Sequence, residues 1–169
     1  FDIMVIGAGP TGLVSALTFA KAGYEIVVID PVDRVGNASS ENSDGIQDRR
    51  TTAHLTPTVK FLEELGIWNE ICQNACALER LVIIEDTSQN LISNRQRKTV
   101  FDPSALGSQN FGYNVPIKDN LEGLVKLAKA NSNITLVFGI GLQRVVRDNK
   151  SVFGILTDGA TIKAKLIIG

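Results

Sequence analysis

Gly7, Gly9 and Gly12 are spaced G-x-G-x-x-G between a short apolar run and a helical pattern, and no other stretch constrains the chain as tightly. Ile3 to Ile6 is wholly apolar, as in a strand buried on both faces. Leu13, Leu17 and Ala20 recur at helical spacing, with Ala16 beside them, until Gly23 stops the helix. A second apolar run, Ile26 to Ile29, ends in Asp30. The order reads as one β-α-β unit.

Each part of that unit has a physical task. Gly7 lets the chain turn tightly from strand to helix, Gly9 lets the backbone approach a pyrophosphate, and Gly12 lets the helix pack closely on the strand. The helix start offers unpaired N–H groups and a partial positive charge to phosphate. Asp30 closes the second strand where a carboxylate can accept hydrogen bonds from a ribose hydroxyl pair. An acid there disfavours a phosphorylated ribose, which argues against NADP in this slot. Three glycines alone would be weak evidence; the strand, helix and acid around them make this a dinucleotide site.

At 169 residues, 44% apolar and with a net charge of -1, the chain suits one domain with a substantial core. It lacks a basic run interleaved with aromatics, so nucleic acid is not an expected partner. It also lacks an apolar stretch of membrane-spanning length. With the first strand starting at Phe1, no signal peptide is expected. Cys72 and Cys76 fall on one face if their segment is helical; His54, the single histidine, is distant in sequence, so no metal site is expected. Two free thiols suit a reducing cytoplasm. Phe1 opens on a strand and Leu166 to Gly169 closes on one, so a piece of a longer protein is expected.

Residues 31 to 48 are rich in Gly, Asn, Ser and Asp and read as an exposed loop. Arg49 and Arg50 follow in a polar stretch, placed either to reach a pyrophosphate or to sit as solvated charges. Thr56 as N-cap and Pro57 at the first helical position start a helix whose apolar face is Val59, Phe61, Leu62 and Leu65, with Gly66 as its stop. Ile67 to Cys76 reads as a further short helical piece with Trp68 as a core anchor. Leu81 to Glu85, Leu91 to Ser93 and Thr99 to Phe101 read as strands of an inserted antiparallel sheet, with Arg95 to Lys98 as a solvated connection. A helix is expected from about Lys118 to Ala130, with Leu121, Leu124, Val125 and Ala128 apolar. Strands are then expected at Ile134 to Phe138, Leu142 to Val146, Val152 to Leu156 and Thr161 to Ile168.

An NAD-binding unit would normally continue with a helix and parallel strand soon after Asp30. Here the next parallel strand is expected only at Ile134. Such an interruption is more typical of FAD-binding folds.

Together these segments resemble the class A FAD-dependent aromatic hydroxylases, in the branch that acts on polyprenylated phenols in ubiquinone biosynthesis. The resemblance rests on Gly7-Ala8-Gly9-Pro10-Thr11-Gly12-Leu13, on Asp48, Arg50, Thr52 and Ala53, and on Leu65-Gly66-Ile67-Trp68. Phe111 to Pro116 and Leu166 to Gly169 extend it along the whole chain. It implies an α/β, Rossmann-like FAD-binding domain with a parallel sheet, a β-meander and an inserted, incomplete antiparallel sheet. Residues 1–77 and 103–169 would form the FAD-binding portion, and 78–102 part of a substrate-domain sheet.

By the same resemblance, Gly7, Ala8, Gly9, Pro10, Thr11 and Gly12 would hold the pyrophosphate, Asp30 the adenosine ribose, and Arg50 and Lys118 further parts of the cofactor. Lysine lacks the bidentate reach of the arginine that relatives often place there, and Ile117 replaces a polar residue. NADH or NADPH would be the transient reductant, dioxygen the co-substrate and a prenylated phenol the acceptor. No catalytic residue is nominated, because the cofactor carries the chemistry; His54 is read as structural. The family's second motif would begin just past Gly169. The resemblance also implies a cytoplasmic protein, with peripheral membrane contact, a quinone-biosynthesis complex or a homo-oligomer as further expectations. Two alternatives stay open: another FAD or NAD oxidoreductase, such as a reductase or halogenase, and a truncated nucleotide-binding chain without turnover.

Overall fold

The computed structural model describes residues 1–33, 49–85 and 97–169. At its centre is a parallel sheet. Strand β1 (Ile3–Ile6) leads into helix α1 (Pro10–Lys21) and then β2 (Ile26–Asp30). After a long departure the chain returns to this sheet as β8 (Ile134–Phe138), and its last strand, β12 (Leu166–Ile168), closes the other edge. The strand order is β12-β1-β2-β8, all parallel. The third parallel strand thus lies where the interruption after Asp30 had placed it.

The apolar runs of β1 and β2 have no polar side because each face has its own core. Ile3, Val5, Ile26 and Val28 point to the helical face, where they meet Leu13, Ala16 and Leu124. Leu124 belongs to helix α4 (Ile117–Ala130), which packs beside α1. Met4, Val27 and Ile29 point the other way, against Leu156 and Ala164. These two come from a meander of β9 (Leu142–Arg147), β10 (Val152–Leu156) and β11 (Thr161–Ala164), ordered β11-β10-β9. Gly154 brings the middle meander strand close, since a Cβ there would stand 2.7 Å from Met4 Sδ. The run expected as one strand, Thr161 to Ile168, is therefore two: β11 pairs antiparallel in the meander, and β12 parallel with β1.

Between β2 and β8 the chain builds a second region. Strand β3 (Thr51–Leu55) runs straight into α2 (Thr56–Leu65), followed by the short α3 (Trp68–Ile71) and β4 (Cys76–Ala77). A separate antiparallel pair, β5 (Leu81–Glu85) and β6 (Arg97–Phe101), comes next, then β7 (Gly112–Pro116) leading into α4. Strand β7 is the centre of a three-stranded antiparallel sheet, β3-β7-β4.

Several local expectations change here. Thr51–Leu55 is a strand rather than a polar loop, stabilised by pairing with β7, a partner far along the chain. Thr56 is the first helical residue and not the cap; its N–H bonds the Phe111 carbonyl and its hydroxyl reaches Asn110 O at 3.5 Å. Phe61 is exposed, while Val59 and Leu62 bury the face of α2. Helix α3 stops at Ile71, so Cys72 follows its end and Cys76 lies in β4; the two thiols share no helix face. The strand expected at Leu91 to Ser93, residues 34–48 of the expected loop, and Arg95 and Gln96 of the basic run lie outside the described residues. Among the described residues no helix is long and apolar enough to cross a membrane.

Candidate cofactor site

The glycine loop joins β1 to α1, and its backbone takes the shape that its glycines permit. Gly7 has φ +101, a left-handed conformation that a side chain would strain. Its N–H donates to Ile29 O at 2.8 Å, which seats the turn beside the end of β2. A Cβ on Gly12 would overlap the Gly7 carbonyl, so the close approach of helix to strand requires glycine. At Gly9 the position a Cβ would take has nothing within 4 Å. The backbone there faces open space.

Helix α1 begins at that open edge. Gly9 is its N-cap residue and makes no side-chain capping bond; Pro10 occupies the first turn, and no acidic residue does. Proline costs nothing at this position because its missing N–H would have had no helical partner. An N-terminus with no side-chain cap and no acid in its own first turn, floored by a glycine without steric bulk, suits an anionic group. A pyrophosphate fits this cradle.

Asp30 ends β2 directly beneath the loop and is 4% exposed. Its Oδ2 accepts from Ala8 N at 2.7 Å and its Oδ1 from Val32 N at 2.8 Å. The carboxylate therefore ties the glycine loop to the strand end. Each carboxylate oxygen has two lone pairs, so one oxygen can accept from a backbone amide and from a second donor at once. The charge-assisted bond to Ala8 N was not foreseen from the sequence, although the G-x-G-x-x-G spacing with an acid at the next strand end is its signal.

Arg50 and Lys118 form a second group, where β3 begins and α4 begins. Arg50 O accepts from Ile117 N at 3.0 Å, continuing the β3–β7 pairing by one residue. Lys118, in the first turn of α4, lies 3.9 Å from Glu122 in an i,i+4 pair. The structure thus brings Arg50 and Lys118 together at one corner, and Gly7, Ala8, Gly9, Pro10, Thr11, Gly12 and Asp30 together at another.

His54 is half-buried on β3. Its Nε2 stands 2.9 Å from Asn120 Nδ2, and Trp68 meets its ring edge-on at 6.3 Å. Burial lowers the imidazole pKa from its ordinary 6.5. With the Asn120 amide donating, the ring is neutral and carries its proton on Nδ1. Asn120 is only 1% exposed and went unnoticed in the sequence. Its signal was a polar residue four positions before Leu124, on the apolar face of α4.

The parallel sheet, the glycine loop at its β1 end and the long departure before β8 define a dinucleotide-binding α/β protein of the flavin type. The chain matches the FAD binding domain family along residues 1–169, and it belongs to that family. Among curated relatives, the protein FixC of Salmonella typhi is 26% identical over 170 residues, covering 99% of this chain and 36% of FixC. Putrescine oxidase of Kocuria rosea is 35% identical over 71 residues, covering 39% of this chain and 15% of the oxidase. Para-nitrophenol 4-monooxygenase of a Pseudomonas species is 30% identical over 73 residues, covering 43% of this chain and 16% of that enzyme. The chain thus spans about a third or less of these relatives.

Of solved structures, p-nitrophenol 4-monooxygenase PnpA of Pseudomonas putida superposes with a TM-score of 0.71 at 18% identity, covering 98% of this chain and 39% of PnpA. A Diels-Alderase of pyrroindomycin biosynthesis superposes with a TM-score of 0.74 at 16% identity, covering 99% of this chain and 32% of that protein. At such identities the likeness is one of fold. The same scaffold serves more than one reaction.

Proposed function

We propose that the chain is the FAD-binding portion of an NAD(P)H-dependent monooxygenase that hydroxylates an aromatic ring, with a polyprenylated phenol of ubiquinone biosynthesis as the acceptor. The observation that carries the FAD part of this reading is the uncapped start of α1 over the open Gly9 edge, with Asp30 seated beneath it. The resemblance of Arg50, Thr52 and Ala53 and of Leu65 to Trp68 to the polyprenylphenol hydroxylases supports the finer branch.

In this reading the α1 N-terminus holds the pyrophosphate, Asp30 orients the adenosine ribose, and Arg50 and Lys118 hold further parts of the cofactor. Accepting a hydride from NADH or NADPH and activating dioxygen are the chemistry that FAD supplies when bound. The chain's own part is binding and orientation. Residues 78–102, including the β5–β6 pair, would contribute to a substrate-binding sheet completed by further chain, and a cytoplasmic or membrane-peripheral location would suit a prenylated substrate.

A second reading is another flavin oxidoreductase, favoured by the presence of an oxidase beside a monooxygenase among the relatives. Two measurements separate these readings. Native mass spectrometry of the purified full-length protein should show FAD bound, and NADH-driven oxygen insertion into a polyprenylphenol should follow. Bound FAD with NADH oxidation but no hydroxylated product would favour the second reading. Tighter binding of NAD than of FAD would defeat both.

A further inference from the structure

Asn120 presents an unusual economy for a residue in a helical core. A buried amide is costly to leave without a partner, and an apolar side chain would fill the place more cheaply. The partner it has lies on another element, 66 residues away: His54 Nε2, at 2.9 Å. What this bond joins is informative. His54 lies four residues after Arg50, and its inward face on β3 is shared with Thr52, as strand alternation requires. Asn120 lies two residues after Lys118 on α4, so the two side chains leave the helix on roughly opposite sides, about 200° apart. Asn120, held inward against His54, belongs to the buried face of α4 with Leu124 and Ala128, and Lys118 leaves the helix on the other side.

A second bond makes the corner rigid. Ile117 N donates to Arg50 O at 3.0 Å, joining the first residue of α4 to the residue just before β3. The imidazole is itself held from the side by Trp68, whose ring in turn packs on Tyr113 at 5.4 Å. His54 and Tyr113 are also cross-strand neighbours in the β3–β7 register. A backbone bond just before β3 and a side-chain bond near its far end therefore hold this strand to the first turn of α4.

We propose that His54 and Asn120 are a positioning pair for the cofactor, a clasp that holds Arg50 and Lys118 in the relative placement FAD requires. Neither member touches the cofactor; both act through the corner they join. The inference rests on the reading above that Arg50 and Lys118 contact FAD.

The test is a mutant cycle on FAD affinity in the purified full-length protein, read by quenching of flavin fluorescence, with thermal unfolding of the FAD-free protein as a parallel readout. His54→Phe keeps ring volume and removes the acceptor, His54→Gln restores an acceptor near the Nε2 position, and Asn120→Leu removes the donor. His54→Phe and Asn120→Leu are each expected to weaken FAD binding by about tenfold, the scale of one displaced charge-assisted contact, and His54→Gln to recover most of it. In an Arg50→Gln, Lys118→Gln background, His54→Phe should cost less than about a further twofold, because both contacts it misplaces are already gone. A lowered melting temperature with unchanged FAD affinity overturns the proposal, as do losses that multiply in the combined variant. If Asn120→Leu does not fold, the cycle of His54 with Arg50 and Lys118 decides alone. Undiminished affinity in the Arg50→Gln, Lys118→Gln protein removes the contacts the clasp is said to set. A wild-type protein that does not bind FAD defeats the functional reading and the clasp together, whereas a loss in the Arg50→Gln, Lys118→Gln protein without a His54→Phe loss defeats the clasp only.

Discussion

Asp30 accepts from two backbone amides, one in the glycine loop and one past the end of β2, so its charge shapes the loop before any ligand arrives. Asp30→Ala leaves Ala8 N without that acceptor and, in the proposed reading, removes the ribose contact. It should weaken FAD binding by ~1–3 kcal/mol, the range for a lost charged hydrogen bond; unchanged affinity in a titration would sink the adenosine-end assignment. His54 carries a pH dependence whose sign follows from its burial. Its folded pKa lies below 6.5, so as pH falls the unfolded chain takes up this proton first. Between 6.5 and the lower folded value the unfolded state binds more protons, and His54's contribution to stability declines as pH drops through that window. Above it the contribution is constant. Urea unfolding from about pH 8 to about pH 5 should show this decline, and His54→Gln should remove it. Both residues were visible in the sequence, but only Asp30 announced a role there, because its place after a strand is a local pattern. The role of His54 depends on Asn120, which local pattern does not bring near.

At the scale of elements, two glycines set how closely layers meet, and they differ in what they press against. At Gly12 an added methyl meets the Gly7 carbonyl, a backbone atom that cannot retreat without lifting α1 from β1. At Gly154 it meets the Met4 thioether and Leu142 Cδ1, the ends of side chains that can change rotamer. Gly12→Ala should therefore cost about 2–3 kcal/mol and Gly154→Ala about 1 kcal/mol, within the range for overpacked interiors. Denaturant midpoints would check the order, and equal losses would contradict it. The elements most legible in sequence are those with strong local patterning. Strands β1, β2, β8 and β10 are near-continuous apolar runs, and α4 has its apolar spacing. Strand β3, Thr-Thr-Ala-His-Leu, alternates only half-buried and exposed residues, and its strand form depends on pairing with β7. Helix α3 could not be separated from β4 by pattern either, since the boundary at Ile71 follows from Ile71 being buried and Cys76 pairing with Asn114.

At the scale of the molecule, the β5–β6 pair stands apart from the two cores. Leu81, Val82, Ile83, Ile84, Val100 and Phe101 are all exposed, on both faces of a two-stranded sheet. Two strands alone bury little, and an apolar patch of this kind favours association. The 169-residue chain should self-associate with rising concentration, and Val82→Thr with Ile84→Lys should shift its sedimentation toward monomer; identical profiles would show that this pair is not the contact. The sequence by itself determined the β-α-β unit, its nucleotide-binding loop, the flavin-type interruption and the mixed parallel and antiparallel architecture, because glycine spacing, apolar runs and turn residues act within a few positions. Tertiary structure alone decided which strand partners β3, that the last apolar run splits between meander and parallel sheet, and that Arg50 comes to Ile117 while His54 comes to Asn120. Those outcomes depend on pairings across tens of residues, where the free energy comes from burial and hydrogen bonding between elements rather than from the preference of any one segment.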